Sequence, residues 1–305
     1  LDRVIDRNFY PLPMTQRSNS KWRPIGLGYM GLQDVFFKLR MPFDSPEAQE
    51  ISKRIAEEIF FSAYTTSNEL ARTLGQHANF HETKAAKGVL HVDHWNMPLT
   101  DSERWDTLRE NIKQDGLRNS LVIAIAPTAT IASITGCYEC IEPQVSNLFK
   151  RETLSGDFLQ INNYLVHDLK ARGLWTEDIR TKIKLANGSI QTVAEIPVEL
   201  KKIYRTAWEI PMKSLIDMAA ARAAFIDQSQ SLNLFMESPD IGKLSSMYFY
   251  AWKQGLKTTY YLRSRPATEI AKVAATTTES TQTGRRSAAE VACSLENPES
   301  CESCQ

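Results

Sequence analysis

The sequence predicts an α/β fold from three observations: helical segments with readable caps, a continuous apolar run, and the alternation of the two along the chain. A helix starts at Ser45-Pro46, with Ser as N-cap and Pro at the first helical position. Ile51, Ile55, Ile59 and Ala63 then repeat every fourth residue toward Leu70 and Leu74, and Gly75 closes the helix. That stripe is the expected core face. The run Leu121-Val-Ile-Ala-Ile-Ala126 suits a strand buried on both faces of a parallel sheet. Residues 200–224 read as helical, with Ile203, Trp208 and Leu215 among polar residues, and Pro211 splits them into two helices. Residues 242–255 form a further helix whose Tyr248, Phe249, Tyr250 and Trp252 are expected to serve packing.

Composition narrows the functional classes. The 305 residues carry 36 Lys and Arg against 36 Asp and Glu, so net charge makes no case for DNA or for a membrane surface. No run of eighteen apolar residues and no basic-then-apolar leader occurs. The chain begins at Leu1 rather than Met, and the expectation is a piece of something longer. Cysteine occurs at 137, 140, 293, 301 and 304; five in a chain this long do not make a disulfide scaffold, and a cytoplasmic setting is expected. From about Ala267 to Glu290 the apolar pattern gives way to Thr, Ser, Ala and charge, so a flexible tail is expected to carry Cys301-Glu-Ser-Cys304.

Several motifs carry chemistry. Two thiols two residues apart close a disulfide or hold half a zinc site, and on a mobile arm electron transfer is the natural use. The alternative is an incidental pair. Cys137-Tyr-Glu-Cys140 could in principle join the tail pair around zinc, but the gap is far longer than usual, so no metal site is expected. The histidines at 77, 81, 91 and 94 lack a metal-binding context and read as solvated or capping groups. Pro127-Thr-Ala-Thr-Ile131 follows the apolar run and opens a helix, where unpaired N–H groups and short side chains suit an anion, with Thr128 and Thr130 as donors. An ordinary capped helix explains the same pattern. Gly26-Leu-Gly28-Tyr-Met-Gly31 has the letters of a dinucleotide fingerprint, but no apolar strand precedes it and nicotinamide binding is dismissed. Adjacent Tyr260 and Tyr261 in an extended segment are expected to put one ring on each face of a strand. Packing explains most such pairs; a redox relay is the other reading.

The motifs also occur together in one order. Arg23-Pro-Ile-Gly-Leu-Gly28, Arg118-Asn-Ser120, Pro127-Thr-Ala-Thr130, Ile141-Glu-Pro143, Leu154-Ser-Gly156 and Asn187-Gly-Ser-Ile-Gln191 come first. Phe225-Ile-Asp-Gln-Ser-Gln-Ser-Leu-Asn233, Gly255-Leu-Lys-Thr258 with the tyrosine pair, Cys293-Ser-Leu-Glu-Asn297 and the final Cys pair follow. Across essentially its whole length the chain resembles the C-terminal part of the large subunit of class I ribonucleoside-diphosphate reductases of the eukaryotic-like type.

The resemblance implies the C-terminal half of a ten-stranded α/β barrel over residues 1–266, followed by a redox-active tail over 267–305. It implies that Thr128, Ala129, Thr130 and Ile131 hold the substrate diphosphate, Ile131 through its backbone. Tyr261 would receive a radical and Tyr260 hand it on, while Cys301 and Cys304 would reduce the active-site disulfide and be reduced by thioredoxin or glutaredoxin. No cofactor is bound directly: the radical comes from a metal-containing small (beta) subunit, and allosteric ATP and dNTP sites belong to the missing N-terminal part. The family's Asn-x-Cys-x-Glu loop, which forms the thiyl radical, does not occur in this sequence. The piece is therefore expected to be inactive alone and to need a complementary N-terminal part. Cys137 and Cys140 stand where some relatives have Asn and Ser, and no role follows for them or for Cys293. The rival reading is a non-catalytic binding module whose aromatic helix docks a peptide and whose tail recruits thioredoxin.

Overall fold

A computed structural model describes residues 1–95, 97–153 and 156–265, with the backbone course alone along 149–153 and 156–159. The described residues form two compact units, Leu1–Val145 with Ala194–Arg265, and Ser146–Val193. The expected division at 266 places the tail outside the described residues.

The larger unit opens with α1 (Asp2–Arg7), α2 (Pro13–Trp22) and α3 (Leu32–Lys38). Asp2 and Asp6 bind the buried Arg23 guanidinium at 2.8 and 2.7 Å, and Asn119 donates to both Asp2 Oδ1 and the Arg23 carbonyl. The start of the chain is thereby tied to the segment that leads into the apolar run. Helix α4 (Pro46–Leu74) begins and ends as its sequence predicts, with Ser45 Oγ accepting from the Ala48 amide at 3.1 Å and Gly75 at the C-cap. Its buried face is different, however. Ala48, Ser52, Ala56, Phe60, Tyr64, Ser67 and Ala71 are inside, while Ile51, Ile55, Ile59 and Ala63 flank the core and Leu74 is exposed. Small residues let α4 lie close to its neighbours, and the large rings of Phe60 and Tyr64, stacked at 4.2 Å, fill the centre with Trp105 and Phe225. Counting apolar side chains alone therefore located the flank of the buried stripe and missed its centre.

Helix α5 (Ser102–Asp115), capped by Asp101, adds Trp105, Leu108 and Ile112 to this core. Helix α6 (Ala129–Thr135) follows the apolar run. In the smaller unit, β1 (Leu148–Thr153) and β2 (Gly156–Ile161) form an antiparallel hairpin. Helices α7 (Asn163–Ala171) and α8 (Glu177–Leu185), capped by Asn162 and Thr176, bury Leu165, Leu169, Ile179 and Ile183 there. Back in the larger unit, Pro211 separates α9 (Val198–Ile203) from α10 (Met212–Ala223), as predicted. Strand β3 (Leu234–Phe235), helix α11 (Ile241–Lys253) and β4 (Leu262–Arg263) complete it.

The extended segments form a parallel arc. Residues 25–27 pair with 121–124 through Leu27 N to Val122 O at 2.7 Å and Ala124 N to Leu27 O at 3.0 Å. Residues 123–125 pair on their other side with 228–231 through Ile125 N to Ser229 O and Ser231 N to Ile125 O. The same chain stretch then continues into β3, which lies parallel to β4. The apolar run thus sits between two partners, with Val122, Ile123 and Ile125 buried, as a strand of a parallel sheet requires. Gly28 makes this pairing possible: a Cβ there would lie 2.5 Å from the Ala124 carbonyl oxygen.

Two expectations fail in the helices and histidines. Helix α11 buries Met247 and Ala251 and packs Tyr250 against them, whereas Phe249 and Trp252 are 60% and 70% exposed, so packing within the unit accounts for only part of its aromatic content. His77 is fully inside, against Trp22 and Phe80, rather than solvated, and burial lowers its pKa. No described helix is long and apolar enough to cross a membrane.

Candidate functional site

Polar residues of the stretch Phe225 to Asn233 stitch the arc together. Asp227 accepts from the Val122 and Ile123 amides, each at 2.8 Å, and from Tyr64 Oη at 3.1 Å. Gln228 Nε2 donates to the Ile25 carbonyl, and Gln230 joins Arg222 Nε to the Ala219 carbonyl. Lys257 donates to the carbonyls of Ile226, Asp227 and Gln228. The buried atoms among these would otherwise be orphans within the arc.

Thr128 is the N-cap of α6, but its hydroxyl does not cap its own helix. Instead the Cys140 amide donates to Thr128 Oγ1 at 2.8 Å, and the Thr128 amide and hydroxyl both point at Cys140 Sγ. The hydroxyl expected to face an anion is thus engaged with Cys140, while Ala129, Thr130 and Ile131 are exposed. The first-turn N–H groups of α6 have no acceptor within the helix. Cys140 is buried and Cys137 half-buried, and both are free thiols. Burial pushes the Cys140 thiol up, which keeps it protonated and unreactive near neutrality. Among the described residues no group of three or more His, Cys, Asp or Glu is placed to hold a metal.

Tyr260 and Tyr261 do not alternate. Their ring centroids are 4.1 Å apart, tilted by 54°, and both rings are nearly half exposed. The reason is local: the pair precedes β4, so the strand pleat that would separate the rings has not begun. The Tyr261 phenol, by hydrogen bonding and charge, raises the pKa of Tyr260. The backbone is nonetheless pinned, with Tyr260 N donating to Leu232 O at 2.7 Å and Leu234 N to Tyr261 O at 2.8 Å. Arg263 lies 6.0 Å from the Tyr261 ring.

Behind the pair are two residues to which sequence reading attached no role. Glu142 is 8% exposed and accepts from the Asn233 amide and from Asn233 Nδ2, each at 2.9 Å. Asn233 Oδ1 accepts from the Tyr261 amide at 3.2 Å. Burial pushes the Glu142 carboxyl up to about 6, with the Asn233 hydrogen bonds and the charges of Arg263 and Arg222 opposing. The available signal was the Ile141-Glu-Pro143 motif and the polar run between Phe225-Ile226 and Leu232, since apolar residues on both sides force such side chains inward. Cys293, Cys301 and Cys304 lie outside the described residues.

A parallel arc wrapped by helices, with a helix N-terminus following one segment and an aromatic pair before another, defines part of an α/β barrel. A family model described as "Ribonucleotide reductase, barrel domain" matches residues 1–262, and the chain belongs to that family. The ribonucleoside-diphosphate reductase large subunit of Arabidopsis thaliana is 46% identical over 319 residues, covering all of this chain and 39% of that protein. The corresponding subunit of Danio rerio is 44% identical, covering all of this chain and 40% of that protein. Among solved structures, the Actinobacillus ureae class Id ribonucleotide reductase alpha subunit aligns with a TM-score of 0.69 and 26% identity, over 88% of this chain and 45% of that one. The chain spans about two fifths of the length of the curated relatives it matches.

Proposed function

We propose that this chain is part of the large subunit of a ribonucleoside-diphosphate reductase, which converts ribonucleoside diphosphates to deoxyribonucleoside diphosphates by radical chemistry. The observation that carries the proposal is the contacting tyrosine pair at 4.1 Å, held by backbone hydrogen bonds within a chain that matches the reductase barrel. In the relay, the Tyr261 phenol loses one electron and its proton to the radical delivered by the small subunit. Tyr260 then gives a hydrogen atom to the Tyr261 phenoxyl, restoring Tyr261 and leaving the radical on Tyr260, from which it passes to a thiol outside this chain. The backbone N–H groups of Ala129, Thr130 and Ile131, with Thr128 and Thr130 hydroxyls, bind the diphosphate at the start of α6. Thr128 must exchange its Cys140 contact for the ligand to take part. Cys301 and Cys304 supply the two electrons and two protons that reopen the active-site disulfide, and thioredoxin or glutaredoxin restores them.

The metal-based radical source belongs to the small subunit, so no residue here is assigned to hold it, and effector nucleotides are assigned to the N-terminal part of the enzyme. The test is complementation: this chain is mixed with the N-terminal part of a related large subunit and a small subunit, and reduction of cytidine diphosphate is followed with dithiothreitol. Turnover by the mixture and none by this chain alone is expected. No turnover by a folded mixture contradicts the proposal, and turnover by this chain alone contradicts its dependence on a partner. A second reading, a docking module, draws on the exposed Phe249 and Trp252; it predicts that the tyrosine phenols do not matter.

A further inference from the structure

We infer that Glu142 is a positioning residue for the tyrosine pair: its carboxylate holds Asn233, and the Asn233 side-chain oxygen holds the Tyr261 amide. The inference rests on the relay reading for its functional meaning, but its geometry stands on this chain alone. Asn233 presents two donors, its amide and Nδ2, to the two oxygens of one carboxylate. That arrangement orients the side-chain amide so that Oδ1 is left for Tyr261 N. Without the carboxylate, Asn233 loses the partners that set its rotamer, and the Tyr261 backbone is left with Leu234 as its neighbour.

The same segment reaches the other end of the site. Two residues before Glu142, Cys140 is clasped to Thr128 at the start of α6. Residues 128–142 thus begin at the proposed diphosphate loop and end at the clamp on the tyrosines. The carboxylate faces Arg222 from α10 and Arg263 from β4, with the Cys140 thiol beside it on its own segment, and Arg222 in turn faces Tyr29. Among the described residues Glu142 forms no ion pair with either arginine, so Asn233 is the group its charge organises. A carboxylic acid or a carboxamide has only one good acceptor for two N–H donors, so protonation and Glu142→Gln both loosen the clamp.

The experiment is amide hydrogen exchange at Tyr261, corrected for intrinsic rates, in this chain and its Glu142→Gln and Glu142→Asp variants. In the wild type, protection at Tyr261 falls about fivefold between pH 7.5 and pH 5, the size expected for one hydrogen bond losing its support. In Glu142→Gln it is low at both pH values, and Glu142→Asp recovers part of it. Protection at Ile125, whose amide is held by Ser229, stays unchanged in every case. In the complemented reductase, Glu142→Gln lowers kcat about tenfold with KM for cytidine diphosphate unchanged. Equal Tyr261 protection in wild type and Glu142→Gln, or parallel loss at Tyr261 and Ile125, overturns the clamp. A pH-dependent clamp with kcat unaffected overturns its bearing on the relay, and absence of turnover in the wild type is charged to the relay reading instead.

Discussion

Replacing Gly28 with Ala tests the parallel arc at its closest approach. A Cβ there would sit 2.5 Å from the Ala124 carbonyl oxygen, a backbone atom that no side-chain rotation can move. The two segments must part by at least about 0.5 Å to reach even a 3.0 Å contact. The hydrogen bonds flanking that point, Leu27 N to Val122 O at 2.7 Å and Ala124 N to Leu27 O at 3.0 Å, then stretch or break. Overpacking costs about 1–3 kcal/mol and each weakened backbone bond about another 1 kcal/mol, so a loss of about 2–4 kcal/mol is expected. Against a total of about 5–15 kcal/mol this is large. Gly26→Ala is the internal control. It lies in the same segment, and its Cβ would meet the Ala124 Cβ at 3.4 Å, an ordinary contact. Urea unfolding followed by circular dichroism measures both. Equal midpoints for Gly28→Ala and Gly26→Ala would refute the close pairing of residues 25–27 with 121–124.

Other outcomes follow from the core, the buried carboxyl and the tail. Phe60→Ala removes a fully buried ring packed on Tyr64, Trp105 and Phe225, and is expected to cost about 3–5 kcal/mol in the same unfolding experiment. Because the folded-state pKa of Glu142 is raised from 4.5 to about 6, its contribution to stability is complete below about pH 4.5 and is lost as pH rises through 6. Glu142→Gln, which stays neutral, should therefore gain about 2 kcal/mol on the wild type between pH 4.5 and pH 7.5, measured by urea midpoints across that range. That gain runs opposite to its loss of Tyr261 protection, so general destabilisation cannot mimic the clamp. Changing both Cys301 and Cys304 to Ser should permit turnover of the complemented enzyme with dithiothreitol but not with thioredoxin; equal loss with both reductants would assign the thiols a structural task.

What was legible in the sequence depended on local signals. The caps at Ser45 and Gly75 and the break at Pro211 are set by backbone chemistry within a few residues, and they appear where the residues demand. The apolar run at 121–126 was legible as a doubly flanked strand because its composition reports burial on both sides. The buried face of α4 was not legible, since Ala48, Ser52 and Ala56 are inside through close packing and not through hydrophobicity. The meeting of the tyrosine rings escaped the alternation rule because the pair sits one residue ahead of the strand. Glu142 and Asn233 lie 91 residues apart, a separation at which no periodicity speaks. The letters at Gly26 and Gly28 were rightly dismissed as a nucleotide fingerprint, but their spacing did not reveal the task of Gly28, the close approach of one backbone to another.

The most direct test of the relay is the activity of the complemented reductase with Tyr260→Phe and, separately, Tyr261→Phe. A phenyl ring keeps the packing and loses the O–H that the relay requires. Loss of cytidine diphosphate reduction in each variant, with binding of the small subunit unchanged, is the predicted result. Turnover retained in both variants would contradict the relay and leave the tyrosines as packing groups on a docking surface.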